Sequence, residues 1–320
     1  MQGGKISKLI VPIFTVVALV GTSLLFVNFN EKGPGICDTD KYFSDYTKMC
    51  ERAVLQLGHD EEIRSLDLDD LYNEFPTEEI LVPDNPAYIG KKTGTKDRRY
   101  KGVSLKAVVE SLIPKGERLE DHVIAITCLD GFDPILDSSI IEKLDEYKAI
   151  IATEELTLDR EGADISKDGK WELLHLSWGI VSPGPFYIVW DNLEGTYWKG
   201  WPLQVKSLRL VKKDKFEATL AKLQPAEEFL GQKPPSNVEE GFNQFKGKCL
   251  TCHSIHGIGG KKANIDLIDR IRLFRGSDSL PYLNAIIRNP PAGMKDILDI
   301  KMSDEDIKNI NSYLKVQAKN

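Results

Sequence analysis

The sequence predicts a multidomain chain: an N-terminal transmembrane helix, a mixed α/β (α+β) middle domain and a small helical C-terminal domain. Three observations carry this reading. Residues 9–30 contain no charge, strand and helix patterns alternate from about Asp84 to Lys213, and a four-residue periodicity over 241–249 follows a proline-bearing linker. At 320 residues the chain exceeds the roughly 100–200 residues typical of one domain, so two globular units with appendages suit its length. A composition of 41% apolar and 28% charged residues excludes wholesale disorder or a fibrous repeat.

The first element is the run from Leu9 to Asn30, long enough to cross the ~30 Å hydrocarbon layer as a helix. A cleaved signal peptide is the rival, but its apolar region is shorter and ends in an Ala-x-Ala-like site, which is not found here. Lys5 and Lys8 precede the run, so the positive-inside rule leaves the N-terminus cytoplasmic. The expected location is the inner (plasma) membrane, single-pass, with the globular part on the periplasmic side. Residues 31–83 form a charged segment expected to be helical in pieces. Cys37 and Cys50 within it either form a disulfide, which an oxidising compartment favours, or remain two thiols.

The α/β unit is assigned to residues 84–221. Val123 to Cys128 (VIAITC) reads as a buried strand, followed by an Asp130-Gly131 turn, a helix capped by Ser139 with Glu142, and a strand over Ala149 to Thr153. Phe186 to Trp190 and Leu203 to Val211 read as further strands. Trp171, Trp178, Trp190, Trp198 and Trp201 cluster here as an aromatic core. His59, His122 and His175 stand at no metal-ligand spacing and read as structural or surface residues. Residues 222–235, with Pro225, Pro234 and Pro235, read as a linker.

The C-terminal unit, 236–320, carries 13 Lys/Arg against 10 Asp/Glu within a chain of net charge -7, so its partners differ from those of the acidic remainder. Without a dense basic stripe, nucleic acid is excluded as a partner. Cys249-Leu-Thr-Cys252-His253 is a CxxCH pattern. Taken alone it fits a redox dithiol, half a zinc site or a haem attachment site; no second Cys/His pair at zinc spacing follows. Asn237 is placed to cap a helix in which Gly241, Phe245 and Cys249 share one face. A last helix is expected from Asp304 toward Val316, capped by Ser303, with Ile307, Ile310, Tyr313 and Leu314 on its packing face.

With Gly241, Phe245, CxxCH, the glycine-bearing loop Ser254 to Gly260 and the segment Tyr282 to Pro290, the sequence resembles the class I c-type cytochromes over about 85 residues. The resemblance implies an all-α class I cytochrome c domain with one covalent haem c. Cys249 and Cys252 would supply the thioether attachment, and His253 and Met294 the axial iron ligands. Met302 is the competing methionine, but its place before the Ser303 cap suits packing. The family's proline after the glycine loop is replaced by Lys261-Lys-Ala-Asn-Ile-Asp266, which leaves the carbonyl that orients His253 unassigned. His256, three residues after His253, reads as a loop histidine. Lys246, Lys248, Lys261 and Lys262 are placed to steer an acidic redox partner.

Tyr100 to Leu105, Val123 to Phe132 and Gly184 to Trp190 resemble, more diffusely, the molybdopterin-binding domain of sulfite-oxidase-like oxidoreductases. The likeness places Cys128 at or within one residue of the molybdenum-binding cysteine; the other reading is a buried structural thiol. Residues 129–142 hold Asp130, Asp133, Asp137 and Glu142 and no Lys or Arg, a poor setting for an anionic pterin. The favoured expectation is therefore a membrane-anchored electron carrier with no catalytic residue, whose middle domain serves docking. A single-chain molybdenum and haem oxidoreductase acting on a small oxyanion or sulfoxide, and a subunit of a larger respiratory complex, stand as alternatives.

Overall fold

The computed structural model describes residues 53–60, 62–82, 98–156, 171, 174–176, 179–191, 200–225, 231, 233–262, 266–273, 279–290 and 302–319. The uncharged run 9–30, Cys37, Cys50, Trp178, Trp198 and Met294 lie outside the described residues.

Strands β1 (Val54–His59), β2 (Glu62–Asp67), β5 (His122–Cys128), β6 (Ile135–Leu136) and β11 (Val205–Lys212) form one sheet in the order β2-β1-β11-β5-β6. Only β1 and β11 run parallel. A second, antiparallel sheet has the order β10-β7-β4-β3, from β3 (Thr77–Val82), β4 (Arg98–Ser104), β7 (Ala149–Glu155) and β10 (Tyr187–Trp190). A short ribbon pairs β8 (Leu174–Leu176) with β9 (Gly179–Val181).

Short helices α1 (Leu68–Glu74), α2 (Leu105–Ser111), α3 (Ser138–Ile141) and α4 (Lys143–Glu146) connect these strands, and α5 (Lys213–Ala221) follows β11. The two sheets share a single apolar core. Leu55, Leu57, Ile124 and Leu208 from the first meet Ile150, Ile151, Tyr187 and Ile188 from the second, all fully buried. The fully buried runs of β7 and β10 are β-branched and aromatic, as strands covered on both faces require.

The expected strands at 123–128, 149–153, 186–190 and 203–211 match β5, β7, β10 and β11 within two residues at either end. Two local readings are corrected. The described part of 31–83 consists mainly of strands, because β1 lies between β2 and β11 and completes the first sheet. Asp137, and not Ser139, caps α3, accepting from the Ser139 amide at 3.0 Å. Buried Arg98 and Glu155, 2.9 Å apart, tie β4 to β7 inside the core.

The C-terminal unit contains α6 (Ser236–Lys248), β12 (Ser254–Ile255), β13 (Ile258–Gly259), α7 (Leu267–Leu273), α8 (Ser279–Arg288) and α9 (Asp304–Lys319). Phe242, Phe245, Cys249, Ile268, Ile310, Tyr313 and Leu314 are buried in its core. Gly241 lets α6 approach α9 closely: a Cβ there would stand 2.8 Å from Tyr313 Cβ, against the Asn309 carbonyl. Ser303 caps α9 reciprocally with Asp306, each side chain 3.0 Å from the other's amide. Asn237 does not cap α6; its amide donates to Ser312 Oγ at 3.0 Å and joins the two helices side to side. Leu223 of the linker is buried in this core, and its carbonyl accepts from Tyr313 Oη and Gln317 Nε2 at 2.9 and 3.0 Å.

The fold class is corrected. The C-terminal unit is not all-α, because β12 and β13 form a hairpin whose turn residues, His256 and Gly257, have φ of 50° and 76°. No helix among the described residues is long and apolar enough to cross a membrane. The longest, α9, has 16 residues, against roughly 20 needed for a span. The described protein is mixed α/β throughout.

Candidate haem-attachment site

Cys249 closes α6, its amide donating to the Phe245 carbonyl at 2.8 Å. The chain then folds back on itself: the amides of Cys252 and His253 both donate to the Cys249 carbonyl, at 3.1 and 2.9 Å. One turn of backbone thus presents both sulfurs and the imidazole in series. Gly259 and Gly260 return beneath this turn. A Cβ on Gly259 would meet the His253 carbonyl oxygen at 2.5 Å, and the Gly260 amide donates to Leu250 O at 2.8 Å. Glycine is needed at 259, where φ is +113°.

Burial and, secondarily, the Arg270 cation push the His253 pKa down from its ordinary value, favouring the neutral imidazole that a metal requires. Its Nδ1 is buried without a hydrogen-bond partner among the described residues, so no carbonyl there holds the ring. His256 sits at the exposed hairpin turn with Nε2 3.2 Å from Gln317 Oε1, as a loop histidine should. Met302 packs against the C-terminal core, where the sequence places it. Leu250, Ile258 and Ile287 lie half-buried at the edge of the same core, apolar surface of the kind a porphyrin covers. The donor set, the neutral imidazole and this apolar rim fit a covalent haem.

The loop also meets the end of β5. Cys252 packs against the core that contains Cys128, whereas Cys249 belongs to the C-terminal core. The Asp133 amide donates to Thr251 O at 3.0 Å and the Lys261 amide to Gly131 O at 2.9 Å. Lys262 Nζ lies 2.8 Å from Asp130 Oδ2 and 5.5 Å from the Phe132 ring centroid. Gly131 permits this approach: a Cβ there would stand 2.6 Å from the backbone of Lys261 and Lys262, and its φ is +77°. Two of the four lysines expected to steer a partner are therefore engaged within the chain, Lys262 with Asp130 and Lys248 with Asp306 at 3.5 Å. Lys246 and Lys261 are exposed.

Cys128 is buried, 4% exposed, beneath that contact. Burial first, then the carboxylates of Asp130 and Asp133, push its thiol well above the ordinary range. Burial likewise raises Asp133, whose carboxylate accepts from the Cys128 amide at 3.2 Å. A covered, protonated thiol between carboxylates does not fit an anionic molybdenum dithiolene, which needs a thiolate and cations.

One constellation is invisible at sequence spacing. His59 and His122, read as unrelated, lie with their ring centroids 5.7 Å apart beside Glu117. A fifty-seven-residue gap separates His59 from the local Glu117/His122 pair, so only strand pairing reveals it. No protein-family model matches the chain, and no curated protein does.

Proposed function

We propose that this chain is a monohaem c-type cytochrome that moves single electrons between protein partners. The observation that carries this reading is the Cys249-Cys252-His253 turn: two sulfurs and a half-buried imidazole, its pKa lowered, set in series at the end of α6. Covalent haem supplies one-electron exchange at iron.

The protein's own residues do the rest. Cys249, in the C-terminal core, and Cys252, half-buried against the first core, would hold the haem by thioether bonds where the two units meet. His253 would hold the iron as a neutral donor and Met294 would be its second protein ligand, a thioether that raises the reduction potential. Iron held by these two residues would exchange electrons singly, the role of a carrier. The middle unit holds the back of the attachment loop through Gly131, Asp133 and Asp130, a docking and rigidifying role. Exposed Lys246 and Lys261 favour an acidic partner surface.

The test is a pyridine haemochrome spectrum on acid-acetone-extracted, denatured protein, produced with a c-type haem attachment system. Haem c retained after extraction, one per chain by mass and lost in the C249A/C252A double variant, supports the proposal. A chain carrying no covalent haem refutes it. Met294→Ala should lower the reduction potential, whereas Met302→Ala should leave it unchanged; the reverse pattern would reassign the sixth ligand.

A further inference from the structure

The edge of the first sheet holds a second cluster of donor atoms. His59 ends β1, His122 opens β5, and β11 runs between them with Leu210 beside His59 and Lys212 beside His122. This pairing sets the two imidazoles close together, and Glu117, just before the 3-10 turn Leu119–Asp121, completes the group.

Hydrogen bonding fixes what each atom can do. His122 is fully buried, and its Nδ1 lies 2.8 Å from the Arg118 carbonyl oxygen. A carbonyl only accepts, so Nδ1 carries the proton and a neutral ring presents its lone pair at Nε2. That Nε2 faces Glu117 Oε2 at 3.0 Å, and a carboxylate oxygen is also an acceptor. His59 Nε2 lies 4.0 Å from the same Oε2, buried and without a hydrogen-bond partner among the described residues. Three lone-pair atoms thus converge within 4.8 Å of one another.

Protonating His122 would satisfy its contact with Glu117 but leave His59 Nε2 an orphan. Buried polar atoms are rarely left so. A cation between the three satisfies all of them at once.

We infer that His59, Glu117 and His122 bind a divalent metal of the zinc class, with water at the fourth position. Two imidazole nitrogens and one carboxylate oxygen are borderline donors that favour such ions over magnesium or calcium. Tetrahedral bonds of about 2.0–2.2 Å put ligand atoms about 3.3 Å apart, so small side-chain rotations close the set. Supporting contacts are in place: the Arg118 carbonyl fixes the His122 tautomer, and Lys212 Nζ, 2.6 Å from Glu117 Oε1, leaves Oε2 facing the rings. Asp60 Oδ2, 3.9 Å from His59 Nε2, is held by Lys215 at 2.6 Å. The His59 and Glu117 side chains are 21% and 27% exposed, so the cluster lies at the edge of the core. The site stands at the opposite end of β5 from Cys128, roughly 20 Å along the strand. The ion would clamp β1 to the loop before β5.

The test is equilibrium dialysis of the full chain against Zn²⁺, and separately Mg²⁺, with elemental analysis and with iron counted in parallel. The expected result is one zinc per chain, no retained magnesium and a zinc-dependent rise in melting temperature. Glu117→Gln and His59→Gln should each weaken zinc binding at least tenfold while far-UV circular dichroism and iron content stay as in the parent. Sub-stoichiometric zinc in the parent would overturn the assignment. Equal zinc affinity in the parent and both variants would also overturn it, placing the metal on other residues. The readout is independent of covalent haem, so either proposal can fail alone.

Discussion

Replacing Gly241 by alanine tests how the C-terminal unit is built. The new Cβ would lie 2.5 Å from the Asn309 carbonyl carbon and 2.8 Å from Tyr313 Cβ, nearly an ångström inside ordinary carbon contact. Asn309 contributes backbone, which cannot rotate away, and Tyr313 is fixed between Phe242 and Phe245 with ring centroids 5.6 Å from each. The helices must therefore separate, and overpacking of this kind costs about 1–3 kcal/mol or more. Against it stands the helix-propensity gain of alanine over glycine, about 1 kcal/mol at most. The net expectation for Gly241→Ala is a loss of up to about 2 kcal/mol, read from the urea transition of α6 and α9 by hydrogen exchange. Gly247→Ala is the internal control: on the same helix its Cβ would meet nothing within 4 Å, so propensity alone acts and stability should rise by up to about 0.5 kcal/mol near the helix end. Equal effects of the two substitutions would refute the close-crossing argument.

Further outcomes follow from the same structure. Glu155→Ala leaves Arg98 buried without its carboxylate partner and should cost about 3–5 kcal/mol by denaturant unfolding; a change under about 1 kcal/mol would show that the pair is not desolvated. The Ser303 amide first, then the Lys248 cation and the Ser303 hydroxyl, hold the Asp306 carboxyl below the usual carboxylate range. A depressed folded pKa contributes stability above the unfolded pKa that is lost as pH falls through the folded value. The stability gap between parent and Asp306→Asn should accordingly be present at neutral pH and close below about pH 4; a gap independent of pH would contradict it. Cys128, buried with its thiol pKa raised, should resist iodoacetamide at about pH 8 in the folded chain and react on unfolding. Equal labelling rates in the two states would place that thiol at the surface.

Local periodicity carried much of the fold. The Gly241/Phe245/Cys249 stripe, the Ser303–Asp306 cap and the strands around 123–128, 149–155 and 205–212 all depend on neighbours within a few residues, where side-chain spacing and capping chemistry act directly. The strands at 54–82 were hidden because β2 is an edge strand whose side chains are mostly exposed, so its charged sequence shows no buried alternation. The hairpin at 254–259 was hidden because His256-Gly257 reads as one more glycine-rich loop until both positive φ values are seen. Asn237 shows the same limit from the other side: a good capping residue, it instead joins α6 to α9 through Ser312.

By itself the sequence determined the Cys249-Cys252-His253 turn, since two cysteines and a histidine in one turn need no distant partner to be presented together. Only the tertiary structure decided what surrounds them. Strand pairing across β11 brought His59 to Glu117 and His122. The close approach at Gly131 laid the loop after Cys249 over Cys128 and gave Asp130 the cation, Lys262, that its own segment lacks. Those juxtapositions join residues more than fifty positions apart, set by burial of a shared core and not by any local pattern.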